Sequence, residues 1–322
     1  MSNLQYFKKM KRDFISILDW TSEEIRNNID LAVELKQQTK EGQCPQLLQR
    51  KSYGLFFHKP SLRTRLSFEV GIAQLGGASM VLSEQDFKIG ERETVSDVAR
   101  VMSRFVDGIL IRTFSHQLVL DLAEHATVPV VNMLTDFNHP CQVMSDMLTI
   151  KEKLGRIDNV RIAYVGDSNN MTISWLNLAA RIPLDLRIAT APETMPDMKL
   201  VNEIKELGIS TIKVTNSAEE AVDGAEALYT DVWASMGEKD KIAERERVLR
   251  DFQINSKLLK YAEKDALVLH CLPAERGKEI TDEVLEGPQS VVFDQAENRL
   301  HAQEAILVQL EKWRTICLNY LT

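Results

Sequence analysis

The sequence predicts an α/β protein built as two doubly wound parallel-sheet domains. Three observations predict it. At 322 residues the chain is long enough for two cores. Strand-like and helix-like runs alternate twice, with the polar stretch Gly155–Asn159 between the two series. Each motif rich in chemistry follows one of the strand-like runs, where open α/β sheets bind their ligands.

Taken in order, Thr21-Ser-Glu-Glu24 is a capping-box pattern, and Ile25, Ile29, Ala32 and Val33 continue one helical face. Ser52–Phe57 reads as a short buried strand. A helix from Arg65 to Leu75 follows and stops at Gly76-Gly77. Strand-like runs at Ala78–Leu82, Gly108–Ile111 and Val128–Asn132 alternate with helical runs at Thr94–Arg104 and Gln117–Glu124. Pro140–Leu154 is helical and leads into Gly155–Asn159, which reads as a hinge. The second series has strands at Arg161–Val165, Leu186–Ala189, Ile212–Val214, Ala227–Tyr229 and Ala266–His270. Its helices are Met171–Arg181 and one near Leu200–Leu207, and a long amphipathic helix from Arg299 to about Leu318 closes the chain.

With 39 Lys and Arg against 47 Asp and Glu the net charge is −8, which argues against nucleic acid or anionic lipid as a main partner. The four cysteines, 44, 141, 271 and 317, form no Cys-x-x-Cys pair, and the six histidines are dispersed, so no metal or disulfide framework is expected. No signal peptide and no membrane span are visible, and a cytoplasmic enzyme is expected. Tyr164-Val-Gly-Asp-Ser-Asn-Asn170 follows a strand but has only Gly166 of a Gly-x-Gly-x-x-Gly fingerprint, so a nicotinamide cofactor is not expected, nor any other.

The most informative stretch is Phe57-His-Lys-Pro-Ser-Leu-Arg-Thr-Arg-Leu-Ser-Phe-Glu69. Hydroxyls at Ser61 and Thr64 and guanidiniums at Arg63 and Arg65 follow a proline and open a helix. Unpaired N–H groups at a helix start, joined by arginine forks, make an anion cradle. A capped helix with a solvated basic turn would share this pattern. Three further motifs follow in order: His139-Pro-Cys-Gln142, Asp231-Val-Trp-Ala-Ser-Met-Gly237 and His270-Cys-Leu-Pro273. His139 and Gln142 lie on one turn and can face one ligand.

Together these motifs resemble the aspartate/ornithine carbamoyltransferase family, from Trp20 to the run Asp294–His301. Leu62 departs from the family's commoner Thr at a position that supplies backbone more than side chain. The resemblance implies transfer of the carbamoyl group of carbamoyl phosphate to the side-chain amine of L-ornithine, in arginine metabolism. It implies an active site in the interdomain cleft. It divides the chain into a carbamoyl-phosphate domain, 1–139, and an ornithine domain, 140–302, with the helix 303–322 packing back on the first. It assigns Ser61, Leu62, Arg63, Thr64, Lys88, Arg112, His139, Gln142, Cys271, Leu272 and Arg299 to carbamoyl phosphate. Of these, Arg112, His139, Cys271 and Arg299 are the expected catalytic groups. Asn170, Asp231, Ser235 and Met236 are assigned to ornithine. Cys271 is expected beside arginines, with a depressed pKa and thiolate character. A homotrimer with shared sites is implied, Lys88 reaching a neighbour.

Two other readings compete. A sister carbamoyltransferase would use N-acetylornithine, N-succinylornithine or putrescine, but an acylated α-nitrogen cannot pair with Asp231, and putrescine has no carboxylate for Asn170. A silent carbamoyl-phosphate-binding subunit would not need Arg63, Arg112, His139, Gln142, Cys271 and Arg299 intact.

Overall fold

The computed structural model describes residues 11–85, 89–234 and 242–319, with the side chains of 317–319 left aside. Its contacts divide the chain into two compact units. Unit 1 is Met1–Ser145 with Arg299–Thr322, and unit 2 is Asp146–Asn298. The division falls inside the helix Pro140–Leu154, where sequence composition suggested Gly155–Asn159. A backbone kept in one continuous helix needs no polar loop at the change of unit.

Unit 1 contains β1 (Ser52–Phe57), β2 (Ala78–Ser83), β3 (Gly108–Arg112) and β4 (Val130–Leu134), all parallel, in the order β2-β1-β3-β4. Its helices are α1 (Ser22–Lys40), α2 (Leu62–Gln74), α3 (Val95–Met102), α4 (His116–His125) and the start of α5 (Pro140–Leu154). Phe56, Ile109, Ile111, Val119, Leu122 and Val130 form part of its core. The strand order switches between β1 and β3, and His58, just after β1, and Arg112, at the end of β3, lie at the strand ends that flank this switch point. The capping box of α1 is present, with Thr21 and Glu24 each accepting the other's backbone N–H.

Unit 2 contains β5 (Val160–Val165), β6 (Leu184–Ala189), β7 (Thr211–Thr215), β8 (Ala227–Thr230) and β9 (Leu267–His270), again all parallel, in the order β7-β6-β5-β8-β9. Its helices are α6 (Asn170–Ala179), α7 (Met198–Glu206), α8 (Ala218–Val222), α9 (Ile242–Leu249) and α10 (Asp282–Leu285). The last helix, α11 (Val292–Asn319), starts in unit 2 and continues into unit 1. Among the described residues, no helix is long and apolar enough to cross a membrane.

Candidate active site

In unit 1, Pro60 and Ser61 turn the chain from β1 into α2. Ser61 has extended backbone and caps the helix, its Oγ accepting the Thr64 N–H at 3.2 Å. The helix therefore begins at Leu62, ahead of the start at Arg65 that the sequence suggested. Leu62 itself is 70% exposed. Arg63 is half-buried on the first turn.

Thr64 is fully buried, and two arginines from distant parts of the chain converge on its hydroxyl. Arg299 on α11 donates from Nη2 to Thr64 Oγ1 at 2.6 Å, and Arg112 at the end of β3 donates from Nη1 at 3.4 Å. Both arginines are buried. Two guanidiniums that share one neutral acceptor repel each other, and an anion placed before them would offset that repulsion.

His139 reaches the same region through a tied loop after β4. Asn138 is completely buried. It accepts from Asn132 Nδ2 at 2.5 Å and donates to the carbonyl of Ile15 at 3.2 Å. The Thr135 N–H donates to the Asn138 carbonyl, closing the turn. Pro140 then occupies the first helical position, where its missing N–H costs nothing. The His139 carbonyl accepts from Gln142 N at 3.1 Å, so the two residues stand on one turn. Burial, then the charges of Arg299 and Arg112, push the His139 pKa well below the usual histidine range. A neutral imidazole results, able to donate one ring N–H. Nearby, Lys59 pairs with Asp136 and lies 4.1 Å from the Phe114 ring centroid, which stitches together the loops after β1, β3 and β4.

In unit 2, Gly166 turns away from β5 with φ of 136°, a conformation that side chains rarely adopt. Asn169 then caps α6, accepting the Met171 N–H at 2.8 Å, and its Nδ2 donates to Asp231 Oδ2 at 2.7 Å. Sequence selected its neighbour Asn170, which is half-exposed on the first turn. Asp231, at the exit of β8, is 8% exposed and also accepts its neighbour's N–H, from Val232, at 2.8 Å.

Cys271 follows β9, and its thiol donates to Asp231 Oδ1 at 3.0 Å. The expected thiolate is not what this surrounding favours. Cys271 is intermediate in exposed area yet closely enclosed by protein. Burial, then the Asp231 and Asp146 carboxylates, push its pKa well above the usual thiol range. The neighbour that governs it in unit 2 is a carboxylate, not an arginine. The strand ladder ends at His270, and Leu272 beyond it has φ of 58°.

Asp231, His270 and Cys271 bring ligand atoms within 4.8 Å of one another, a grouping that the dispersed histidines did not suggest. It is poorly disposed toward a metal. The Leu272 N–H donates to His270 Nδ1 at 2.8 Å, which leaves Nε2 to donate to Glu279 at 2.9 Å. Both ring nitrogens are engaged. Lys88, Ser235 and Met236 lie outside the described residues.

Residues 12–152 match the family model described as aspartate/ornithine carbamoyltransferase, carbamoyl-P binding domain. Residues 158–310 match the model described as aspartate/ornithine carbamoyltransferase, Asp/Orn binding domain. The chain is 49% identical over 302 residues to an ornithine carbamoyltransferase of Syntrophus aciditrophicus, covering 92% of this chain and 99% of that one. It is 46% identical over 301 residues to one of Methanoculleus marisnigri, covering 94% and 97%. The solved structure of ornithine carbamoyltransferase from Pyrococcus furiosus superimposes with a TM-score of 0.88 at 44% identity, covering 92% and 96%.

Proposed function

The chain belongs to the aspartate/ornithine carbamoyltransferase family, and from that premise we propose that it transfers the carbamoyl group of carbamoyl phosphate to the side-chain amine of L-ornithine, giving L-citrulline and phosphate. The observation that carries the proposal is the meeting of Arg112 and Arg299 on Thr64 at the start of α2. A phosphate dianion suits a helix N-terminus flanked by two guanidiniums. Ser61, Leu62 and Arg63 complete this cradle, and Gln142 faces the carbamoyl nitrogen.

The reaction needs no covalent enzyme intermediate. The neutral side-chain amine of ornithine attacks the carbonyl carbon, and the carbonyl oxygen gains negative charge. Arg112 and the neutral His139 donate to that oxygen, a stabilisation worth about 3–4 kcal/mol per donor in comparable sites. The C–O bond to phosphate then breaks, and the departing phosphate takes the proton released by the amine. The carbonyls of Cys271 and Leu272 hold the carbamoyl amide.

Asp231 pairs with the α-ammonium of ornithine, and Asn170, Ser235 and Met236 hold its amino-acid head. Free ornithine therefore fits better than an N-acylated form. Cys271 acts as a thiol that keeps Asp231 oriented until the amine arrives. The proposal extends to a cytoplasmic homotrimer in arginine metabolism, with Lys88 completing a neighbour's site. A monomer in sedimentation analysis would contradict that extension.

Comparing kcat/KM for ornithine, N-acetylornithine, N-succinylornithine and putrescine tests the amine. Ornithine is expected to lead by at least about tenfold. Preference for any of the other three would overturn the assignment.

A further inference from the structure

A buried side-chain relay ends one residue before Cys271. Gln295, on the first turn of α11, accepts the His270 N–H on Oε1 at 2.9 Å and donates from Nε2 to Asp146 Oδ1 at 2.7 Å. All three residues are completely buried. β9 is the edge strand of its sheet, with β8 on one side only. Residues alternate sides along a strand, so the N–H of His270 points outward, away from β8. Two residues earlier, Val268 points the same way and donates to the Gln289 carbonyl at 2.8 Å. At His270 the polypeptide backbone no longer supplies that partner, and the Gln295 side chain takes its place.

The orientation of the Gln295 amide is fixed from both ends. A backbone N–H can be met only by its oxygen, and a carboxylate only by its NH2 group. Asp146 lies on α5, one helical turn after Gln142. Its carboxylate is also felt at Cys271 and at the buried hydroxyl of Tyr229.

We infer that Asp146 and Gln295 are positioning residues for carbamoyl transfer: their relay sets where β9 ends, and so where the Cys271 thiol and the Leu272 carbonyl stand. The inference rests on the carbamoyltransferase reading above. A hydrophobic residue at 295 would fill the same space but leave the His270 N–H buried without its acceptor. The end of β9 would then shift, and the amide and amine contacts after it would lose alignment. Carbamoyl phosphate would still find its phosphate cradle, because Arg112, Thr64 and Arg299 belong to the other unit.

The test uses the full-length enzyme and measures ornithine turnover alongside carbamoyl phosphate affinity. Wild-type turnover comes first, since its absence would overturn the parent reading and this role with it. Gln295→Leu and Asp146→Leu are expected to lower kcat by about tenfold or more, with carbamoyl phosphate Kd within about threefold of wild type. Asp146→Asn keeps an acceptor for Gln295 and is expected to retain most of kcat. Should the leucine variants fail to fold, Gln295→Met and Gln295→Asn give gentler breaks, with the same losses expected. Folded variants with wild-type kcat overturn the inference while leaving the parent reading intact. Equal loss of turnover and of carbamoyl phosphate binding also overturns it, because it shows general damage.

Discussion

Cys271 and Asp231 share a hydrogen bond of 3.0 Å, with the thiol as donor and a carboxylate oxygen as acceptor. The arrangement stabilises the protonated sulfur, because ionising it would place two anions side by side. Cys271 should accordingly alkylate slowly with iodoacetamide well past the pH where an ordinary thiol reacts, about 8.5. Asp231→Asn removes the opposing charge and should move the midpoint of the rate profile downward. Peptide-resolved mass spectrometry separates Cys271 from the other cysteines. An unchanged midpoint in the variant would show that Asp231 does not govern the thiol.

His139 should make the protein less stable in mild acid. Its folded pKa lies below the unfolded value of about 6.5, so under that pH the unfolded chain binds a proton that the folded one refuses. Stability then rises with pH up to about 6.5 and falls on acidification, by at most ~1.4 kcal/mol per pH unit from this one group. His139→Gln should lose less melting temperature than wild type between pH 7 and pH 5. His58 and His116, also lowered mainly by burial, contribute equally to both proteins and cancel in the comparison. Identical losses would mean that His139 accepts its proton inside the fold.

Thr64 should matter through its oxygen. Thr64→Val keeps the shape but withdraws the acceptor shared by Arg112 and Arg299, at a cost of ~1–3 kcal/mol in stability or carbamoyl phosphate binding. Thr64→Ser should restore most of it. Calorimetric titration with carbamoyl phosphate and a thermal melt separate the two effects, and a valine variant equal to wild type in both would remove Thr64 from the cradle.

Local signals carried much of this architecture. β1 and α5 occupy the spans their apolar and proline patterns predict, Ser52–Phe57 and Pro140–Leu154. The closing helix begins at Val292, earlier than Arg299, because its first turn is anchored by a buried side chain, Gln295, that shows no amphipathic period. The anion motif was readable because its hydroxyls and arginines are adjacent in the chain. Asn169, Asp146 and Gln295 did not stand out, since each is hydrogen-bonded to a partner far away in sequence. The protonated state of Cys271 was hidden for the same reason: Asp231 lies forty residues earlier.

Asn169→Asp offers a clean separation of cap from site. Aspartate caps a helix as well as asparagine does, so α6 should keep its stability. The donor to Asp231 is replaced by a like charge at a contact of 2.7 Å, and Asp231 should turn away. The expected result is a rise of about tenfold or more in the ornithine KM with carbamoyl phosphate affinity retained. An unchanged ornithine KM would show that Asn169 serves only the helix.

The most direct test of the whole account follows the carbon and the phosphorus together. Carbamoyl phosphate labelled with 13C is incubated with the enzyme and L-ornithine while 13C and 31P NMR spectra are recorded. The account predicts one citrulline ureido carbon, on the side-chain nitrogen, for every inorganic phosphate released above the rate without enzyme. Enzyme-dependent phosphate release without a ureido carbon, or a label found on the α-nitrogen, would contradict it.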